Sequence, residues 1–464
     1  MAGRQHYDAI VIGAGQSGMP LSRAMAKAGW KTAMVERAHV GGTCINTGCT
    51  PTKTMVASAR VAYLAGRAAG YGVRISPPSV DMSRVRQRKR DMVESFRGGN
   101  ERSLATAGVD LLMGEGRFTG PKSIEVRLNG SGDVRQLEAE RIFIDTGTRS
   151  AVPRLEGLDT VPYLDSTSIM ELDAVPDHLL VLGGGYIGVE FAQMFRRFGS
   201  RVTVIVRGKS LLSKEDPDIA EALTGILRDD GIEVLFEAES LRVARGGDNA
   251  ILFTVRTPGG ERVIEGSHLL VATGRTPNSD SLNLGAAGIE TDERGFIKVN
   301  VKLETNVPGV YALGEANGEP AFTHISYDDF RVICANLLYG QDVTTNDRIL
   351  PYVVFTDPQL GRVGLGEEDA RRQGRNVKVA KMPMSWVARA LETDETRGLM
   401  KAVVDADTGQ ILGCAILGLE GGEVMAQVQL AMMGKLPYHV LRDAIFAHPT
   451  LAESLNTLFA QIEE

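Results

Sequence analysis

Cysteine is scarce in this chain, with four in 464 residues, and only Cys44 and Cys49 lie close together. Such a set provides no disulfide framework and fits a reducing, cytoplasmic setting. An excess of positive charge is also missing. Lys plus Arg total 51 against 58 Asp plus Glu, a net charge of -7, which disfavours nucleic acid as a partner. No apolar run is long enough to span a bilayer, and Met1 to Asp8 run straight into a strand, leaving no room for a signal peptide. With 43% hydrophobic residues, the chain can bury several cores, so two to four domains of a cytoplasmic α/β enzyme are expected.

Against those absences stands a repeated glycine pattern. Tyr7 to Ile12 is an apolar run feeding Gly13-Ala14-Gly15-Gln16-Ser17-Gly18, followed by helical spacing from Met19 to Ala28 and a strand from Lys31 to Val35. A strand, glycine turn, helix and strand in that order place a pyrophosphate at a helix N-terminus. Glu36 falls 23 residues after Gly13, where a carboxylate holds the hydroxyls of an adenosine ribose. The unit then recurs: His178 to Leu182, Gly183-Gly184-Gly185-Tyr186-Ile187-Gly188, a helix to about Phe198, and a strand from Arg201 to Val206. Duplication argues for two dinucleotides. Counting 23 residues from Gly183 reaches Val206, so the acid that would favour NADH is missing. Arg207 follows at once, with Lys209 and Lys214 nearby, a cationic set suited to the 2′-phosphate of NADPH. NADPH is the expected coenzyme, with NADH as the other possibility.

Between the two units lies Gly41-Gly42-Thr43-Cys44-Ile45-Asn46-Thr47-Gly48-Cys49-Thr50-Pro51-Thr52-Lys53. On a regular helix, cysteines at this spacing have Cα atoms roughly 8 to 9 Å apart. A disulfide needs roughly 4.4 to 6.8 Å. A bond therefore demands a distorted turn, which Gly48 and Pro51 permit. Zinc requires four ligands, and Cys334 and Cys414 stand alone in apolar segments where they read as small core residues. A structural disulfide has no support in a reducing compartment. The expectation is a redox-active pair cycling between disulfide and dithiol, with no bound metal.

The stretch GGTCxNxGCxPxK resembles the active-site segment of the flavoprotein pyridine nucleotide-disulfide oxidoreductases, the family of glutathione reductase, lipoamide dehydrogenase and mercuric reductase. That resemblance implies an α/β fold with two Rossmann-like domains, for FAD and NAD(P), and a C-terminal α+β dimerisation domain. The implied boundaries are 1–150 and 273–345 for FAD, 151–272 for the coenzyme and 346–464 for dimerisation. FAD would be held by Gly13, Gly15, Gly18, Glu36, Gly42, Thr43, Lys53, Gly116, Thr146, Gly147, Glu315, Thr323 and His324. NADPH would be held by Gly183, Gly185, Gly188, Glu190, Arg207, Lys209, Lys214 and Gly274. Glu315 stands where the family usually has Asp. In mercuric reductase relatives a cation precedes Glu-Asp-Pro, as Lys214 precedes Glu215-Asp216-Pro217 here.

The same resemblance implies the roles. Tyr186 would gate the nicotinamide pocket, and Lys53, held by Glu190, would lie beside the reactive flavin nitrogen. Cys49 would exchange electrons with the flavin, leaving Cys44 to attack substrate, both with depressed pKa. His448-Pro449-Thr450-Leu451-Ala452-Glu453 matches the HPTxxE pattern, whose histidine serves as base across the interface of a homodimer, oriented by the acid. Mercuric reductases of the metal-resistance type carry a second cysteine pair near the C-terminus. This chain has no cysteine after Cys414, and its stretches Ala321 to Phe330 and His448 to Phe459 most resemble the mercuric-reductase-like and reactive-chlorine-resistance flavin reductases. The implied activity is electron transfer from NADPH to a small disulfide, quinone or metal ion. Dihydrolipoamide dehydrogenase is the alternative, and a non-catalytic thiol redox sensor is the alternative of another class. The basic run Arg84-Val85-Arg86-Gln87-Arg88-Lys89-Arg90 is expected to be a solvated helix face.

Overall fold

The computed structural model describes residues 4–462. The chain divides into two compact units. One comprises Met1–Thr54 (described from Arg4), Arg86–Ala151 and Gly274–Arg348; the other comprises Met55–Val85, Val152–Thr273 and Ile349–Glu464 (described to Ile462).

The first unit is built on a six-stranded mixed sheet. Gln5–Ile12 pairs in parallel with both Thr32–Glu36 and Val134–Ile144, and Thr32–Glu36 continues in parallel to Asp110–Gly120. Ser123–Leu128 then runs antiparallel between Asp110–Gly120 and Val134–Ile144. Val310–Ala312 adds a last parallel strand, with Val310 opposite Ile142. Every residue of Thr32–Glu36 is buried, as expected for a strand covered on both faces. The helix Gly18–Lys27 leaves the first strand through the glycine turn.

The second unit contains an all-parallel sheet in the order His268–Val271, His178–Leu182, Arg201–Ile205, Glu233–Leu235. The helix Tyr186–Phe198 is amphipathic and buries Phe191, Phe195 and Phe198 in one cluster. Glu239–Arg245, Ile251–Thr257 and Gly260–Gly266 form a separate antiparallel sheet. The C-terminal part is a five-stranded antiparallel sheet in the order Pro351–Val354, Gln359–Gly364, Ile411–Gly418, Leu399–Asp405, Val377–Pro383. Cys414 is buried in its central strand and Cys334 is buried in the first unit's helix Thr323–Leu337. Burial pushes the Cys334 thiol up to about 11 and the Cys414 thiol up to about 12. Both are core residues.

The basic run falls in the helix Met82–Thr106. Arg84, Gln87, Arg88 and Arg90 are exposed as expected, but Lys89 is 3% exposed and so departs from a wholly solvated face. Arg88 donates to the Thr54 carbonyl at 2.6 Å, which gives its charged end a structural task.

Candidate active site

The two cysteines sit on either side of a helix break. Cys44 belongs to the short helix Gly42–Asn46, and Cys49 is the first residue of the long helix Cys49–Arg67. Between them Thr47 leaves helical geometry at φ -142, so the distortion comes from two helices meeting rather than from a bend within one. Gly48 is required there. A Cβ at this position would lie 2.9 Å from the Thr43 carbonyl oxygen. Asn46 fixes the preceding loop by donating to the carbonyls of Gly42 at 2.9 Å and Val40 at 3.1 Å.

In this structure both sulfurs are free thiols and hydrogen-bonded to each other. Cys49 is exposed, and its Sγ lies 3.3 Å from Thr323 Oγ1. The Cys44 thiol is pushed upward, first by its hydrogen bond with Cys49 and then by burial, while Thr323 and the Lys53 ammonium oppose the shift. In the single chain, mutual hydrogen bonding and desolvation outweigh the cationic neighbour for Cys44.

The glycine turn of the first unit is tied to its surroundings by two acids. Glu36 accepts from Ala14 N at 2.9 Å and Ala38 N at 2.8 Å, which sets its carboxylate at the end of the second strand beside the turn. Asp145, not singled out from sequence, accepts from Gly18 N at 2.7 Å. Burial pushes its carboxyl well above the usual carboxylate range, against the pull of that N–H. Its only sequence signal was an acid at a strand end, directly before Thr146 and Gly147. Thr146 Oγ1 is buried without a hydrogen-bond partner, an unsatisfied group that a bound dinucleotide would complete. With the Gly13–Gly18 turn, these residues fit FAD.

Elsewhere in this unit, Gly116 pairs with Val126 across neighbouring strands. Glu315 accepts from Thr148, and Arg275 Nε lies 3.3 Å from its carboxylate. The longer acid is thus held by an arginine and a hydroxyl of its own unit. Thr323 opens the helix Thr323–Leu337, and the ring of His324 stacks on Phe322 at 5.5 Å.

In the second unit, Gly185 precedes the helix Tyr186–Phe198 with open space where a Cβ would point, a gap suited to a pyrophosphate. Gly188 packs on Gly183, whose carbonyl oxygen lies 2.1 Å from the Cβ position. Val206 is buried, whereas Arg207, Lys209 and Lys214 are exposed on the following loop. Lys209 lies 4.0 Å from Glu237. Glu190 is buried and accepts from Phe355 N at 2.8 Å. Tyr186 packs against Tyr352, with ring centres 5.6 Å apart. His448 is largely exposed, and its Nδ1 lies 2.9 Å from Glu453 Oε2.

Two glycine-turn dinucleotide units, a vicinal thiol pair and a histidine–carboxylate pair define a flavin-dependent thiol oxidoreductase. The chain belongs to the pyridine nucleotide-disulphide oxidoreductase family, whose description matches residues 7–329, while the family's dimerisation domain matches residues 350–459. It is an enzyme of the FAD-dependent, pyridine nucleotide-using class. Among its relatives is the probable pyridine nucleotide-disulfide oxidoreductase RclA of Escherichia coli, 38% identical over 98% of this chain and 99% of that protein. A mercuric reductase of Bacillus cereus is 37% identical over 98% of this chain and 71% of that protein. A dihydrolipoyl dehydrogenase of Haloferax volcanii is 34% identical over 96% of this chain and 94% of that protein. The solved Cu(II) complex of the HOCl-induced flavoprotein disulfide reductase RclA from Escherichia coli superposes with a TM-score of 0.90, covering 99% of this chain and 100% of that one. Among the described residues, no helix is long and apolar enough to cross a membrane, and no cluster of His, Cys, Asp or Glu suits a metal.

Proposed function

We propose that the chain passes two electrons from NADPH, through Cys44 and Cys49, to a small disulfide, quinone or metal ion. The observation that carries this reading is the Cys44–Cys49 contact, with Cys49 at a helix start and beside Thr323. FAD, held by the Gly13–Gly18 turn, Glu36 and Thr146, would supply the hydride-accepting and electron-releasing chemistry that no side chain provides.

For a disulfide acceptor, the Cys44 thiolate attacks one substrate sulfur and expels the other as a thiolate, which takes a proton from His448. Cys49 then attacks Cys44, releasing the second substrate thiol and leaving a Cys44–Cys49 disulfide for the next reduction. The two electrons and two protons match the conversion of one disulfide to two thiols. Glu453 holds the His448 ring so that Nε2 faces the sulfur chemistry. Lys53 favours the thiolate form of Cys44. Lys53 would also favour the reduced flavin's negative charge.

Arg207, Lys209 and Lys214 form the binding set for a 2′-phosphate, supported by their exposure beyond the second unit's strand Arg201–Ile205. The dimerisation domain leaves Leu430, Met433 and Ile445 exposed, which supports a homodimer with His448 serving the partner's thiols. We read the chain as the four segments set out from sequence, 1–150, 151–272, 273–345 and 346–464. Similarity to Cu(II)-bound and mercuric-reductase relatives supports metal ions among the acceptors. Similarity to the dihydrolipoyl dehydrogenase supports a second reading, oxidation of dihydrolipoamide with NAD.

Anaerobic NADPH oxidation with a panel of disulfides, quinones and Cu(II) tests the assignment. Turnover above the acceptor-free background with one acceptor is expected, and its loss in Cys44→Ser ties it to the thiol pair. Faster turnover with dihydrolipoamide and NAD than with any panel member would replace this reading with the second one.

A further inference from the structure

Glu215 and Tyr352 lie 137 residues apart in sequence and have no place in the roles above, yet they meet in the second unit. Tyr352 donates its hydroxyl to Glu215 Oε1, and the hydroxyls of Tyr186 and Tyr352 are themselves hydrogen-bonded. The result is a chain of three side chains, from a buried carboxylate through one phenol to the next. Glu215 Oε2 is buried with no hydrogen-bond partner, and the nearest cation is Arg362 at 3.7 Å. Burial pushes the Glu215 carboxyl and the Tyr352 phenol up, and Arg362 opposes both shifts.

The position of Glu215 in the chain gives this arrangement a consequence. It closes the loop that begins at Arg207, directly after Lys214. That loop folds back on the glycine turn, with Leu212 N donating to Gly184 O at 2.9 Å and Glu215 N donating to Leu212 O at 2.8 Å. Leu212 takes a left-handed conformation, φ 43, which a branched residue adopts only when its surroundings hold it there. Asp216 anchors the far end of the loop by its contact with Lys401 at 3.1 Å. The loop that carries the cationic side chains is therefore braced, and its last side chain before that anchor holds the tyrosine pair.

We propose that Glu215 and Tyr352 are positioning residues that fix the orientation of Tyr186 and tie it to the cationic loop reaching from Arg207 to Lys214. The inference rests on the reading of Tyr186 as the residue over the nicotinamide pocket. Capture of a 2′-phosphate by Lys214 tightens the segment that ends at Glu215, and the phenol pair is tightened with it. A coenzyme lacking that phosphate adds nothing to the bracing already present.

Anaerobic stopped-flow reduction of the bound flavin tests the link. Tyr352→Phe removes one hydroxyl and keeps the ring packing. We expect it to slow reduction by saturating NADPH about tenfold, with a smaller loss for NADH. A Tyr186→Phe/Tyr352→Phe double variant should be no slower than the slower single variant, because both changes break one chain of hydrogen bonds. Glu215→Ala should behave as Tyr352→Phe does, and Glu215→Gln, whose amide oxygen still accepts, should restore most of the rate. Multiplicative losses in the double variant, or equal losses with both coenzymes, would overturn the proposal. If Tyr186→Phe changes neither the reduction rate nor coenzyme dissociation, the failure lies in the reading of Tyr186 itself.

Discussion

His448 and Glu453 form a paired unit in which the imidazole Nδ1 is 3.0 Å from one carboxylate oxygen and 2.9 Å from the other. Such a forked contact fixes the ring plane and favours the proton on Nδ1, which leaves Nε2 open for the acid–base role proposed above.

Replacing His448 by Gln should therefore lower turnover of a disulfide acceptor by roughly 10² to 10⁴-fold, the usual span for a lost acid–base group. Flavin reduction by NADPH, followed separately in a stopped-flow instrument, should stay within about twofold of the parent. An equal loss in both half-reactions would mean that His448 acts through structure and not through proton transfer.

The two reactive sulfurs should divide their labour. Cys44→Ser should abolish disulfide reduction while Cys49 still gives the long-wavelength absorption of a thiolate beside oxidised flavin. Cys49→Ser should remove that band. Retention of acceptor turnover in Cys44→Ser would reverse the assignment of the sulfurs.

A charge reversal at Arg207 tests coenzyme choice. Arg207→Glu places an acid directly after the buried Val206, close to where NADH-binding relatives of this fold carry one. The ratio of kcat/KM for NADPH over NADH should fall by roughly 10²-fold or more, since one lost and one repelled phosphate contact together amount to several kcal/mol. An unchanged ratio would move the 2′-phosphate site away from this loop.

Thiol titration of the reduced protein should show two classes. Cys44 and Cys49 react with a chromogenic disulfide reagent at pH 8, whereas Cys334 and Cys414 remain silent until the chain unfolds. Burial raises these two thiols to about 11 and about 12. As raised acids they stay protonated below those values, so thiolate is scarce at pH 8 and the sulfurs lie within the core. Four fast thiols in the folded protein would contradict the burial of both.

Much of this architecture was legible in the sequence because it is written locally. The second nucleotide unit follows from apolar runs, glycine spacing and helical periodicity; its strand His178–Leu182, helix Tyr186–Phe198 and strand Arg201–Ile205 fall within a residue of expectation. The strands Gln359–Gly364 and Val377–Pro383 were not read, because glycines break one and lysines alternate through the other. After the strand Ile411–Gly418 the described residues form three helices, Gly421–Met433, Tyr438–Arg442 and Ser454–Ala460. Asp145 carried no local signal beyond an acid at a strand end, and the pairing of Tyr352 with Glu215 carried none. Their meaning comes from partners 127 and 137 residues distant, a relation that periodicity does not encode.

The short strand Val310–Ala312 covers Ile142 to Ile144 on the first unit's sheet, although it is synthesised well after the rest of that sheet. During translation the strand Val134–Ile144 therefore waits with part of its backbone open to other chains. Nascent polypeptides that end before residue 310 would leave that edge uncovered, a row of backbone groups on which a strand of another chain can pair.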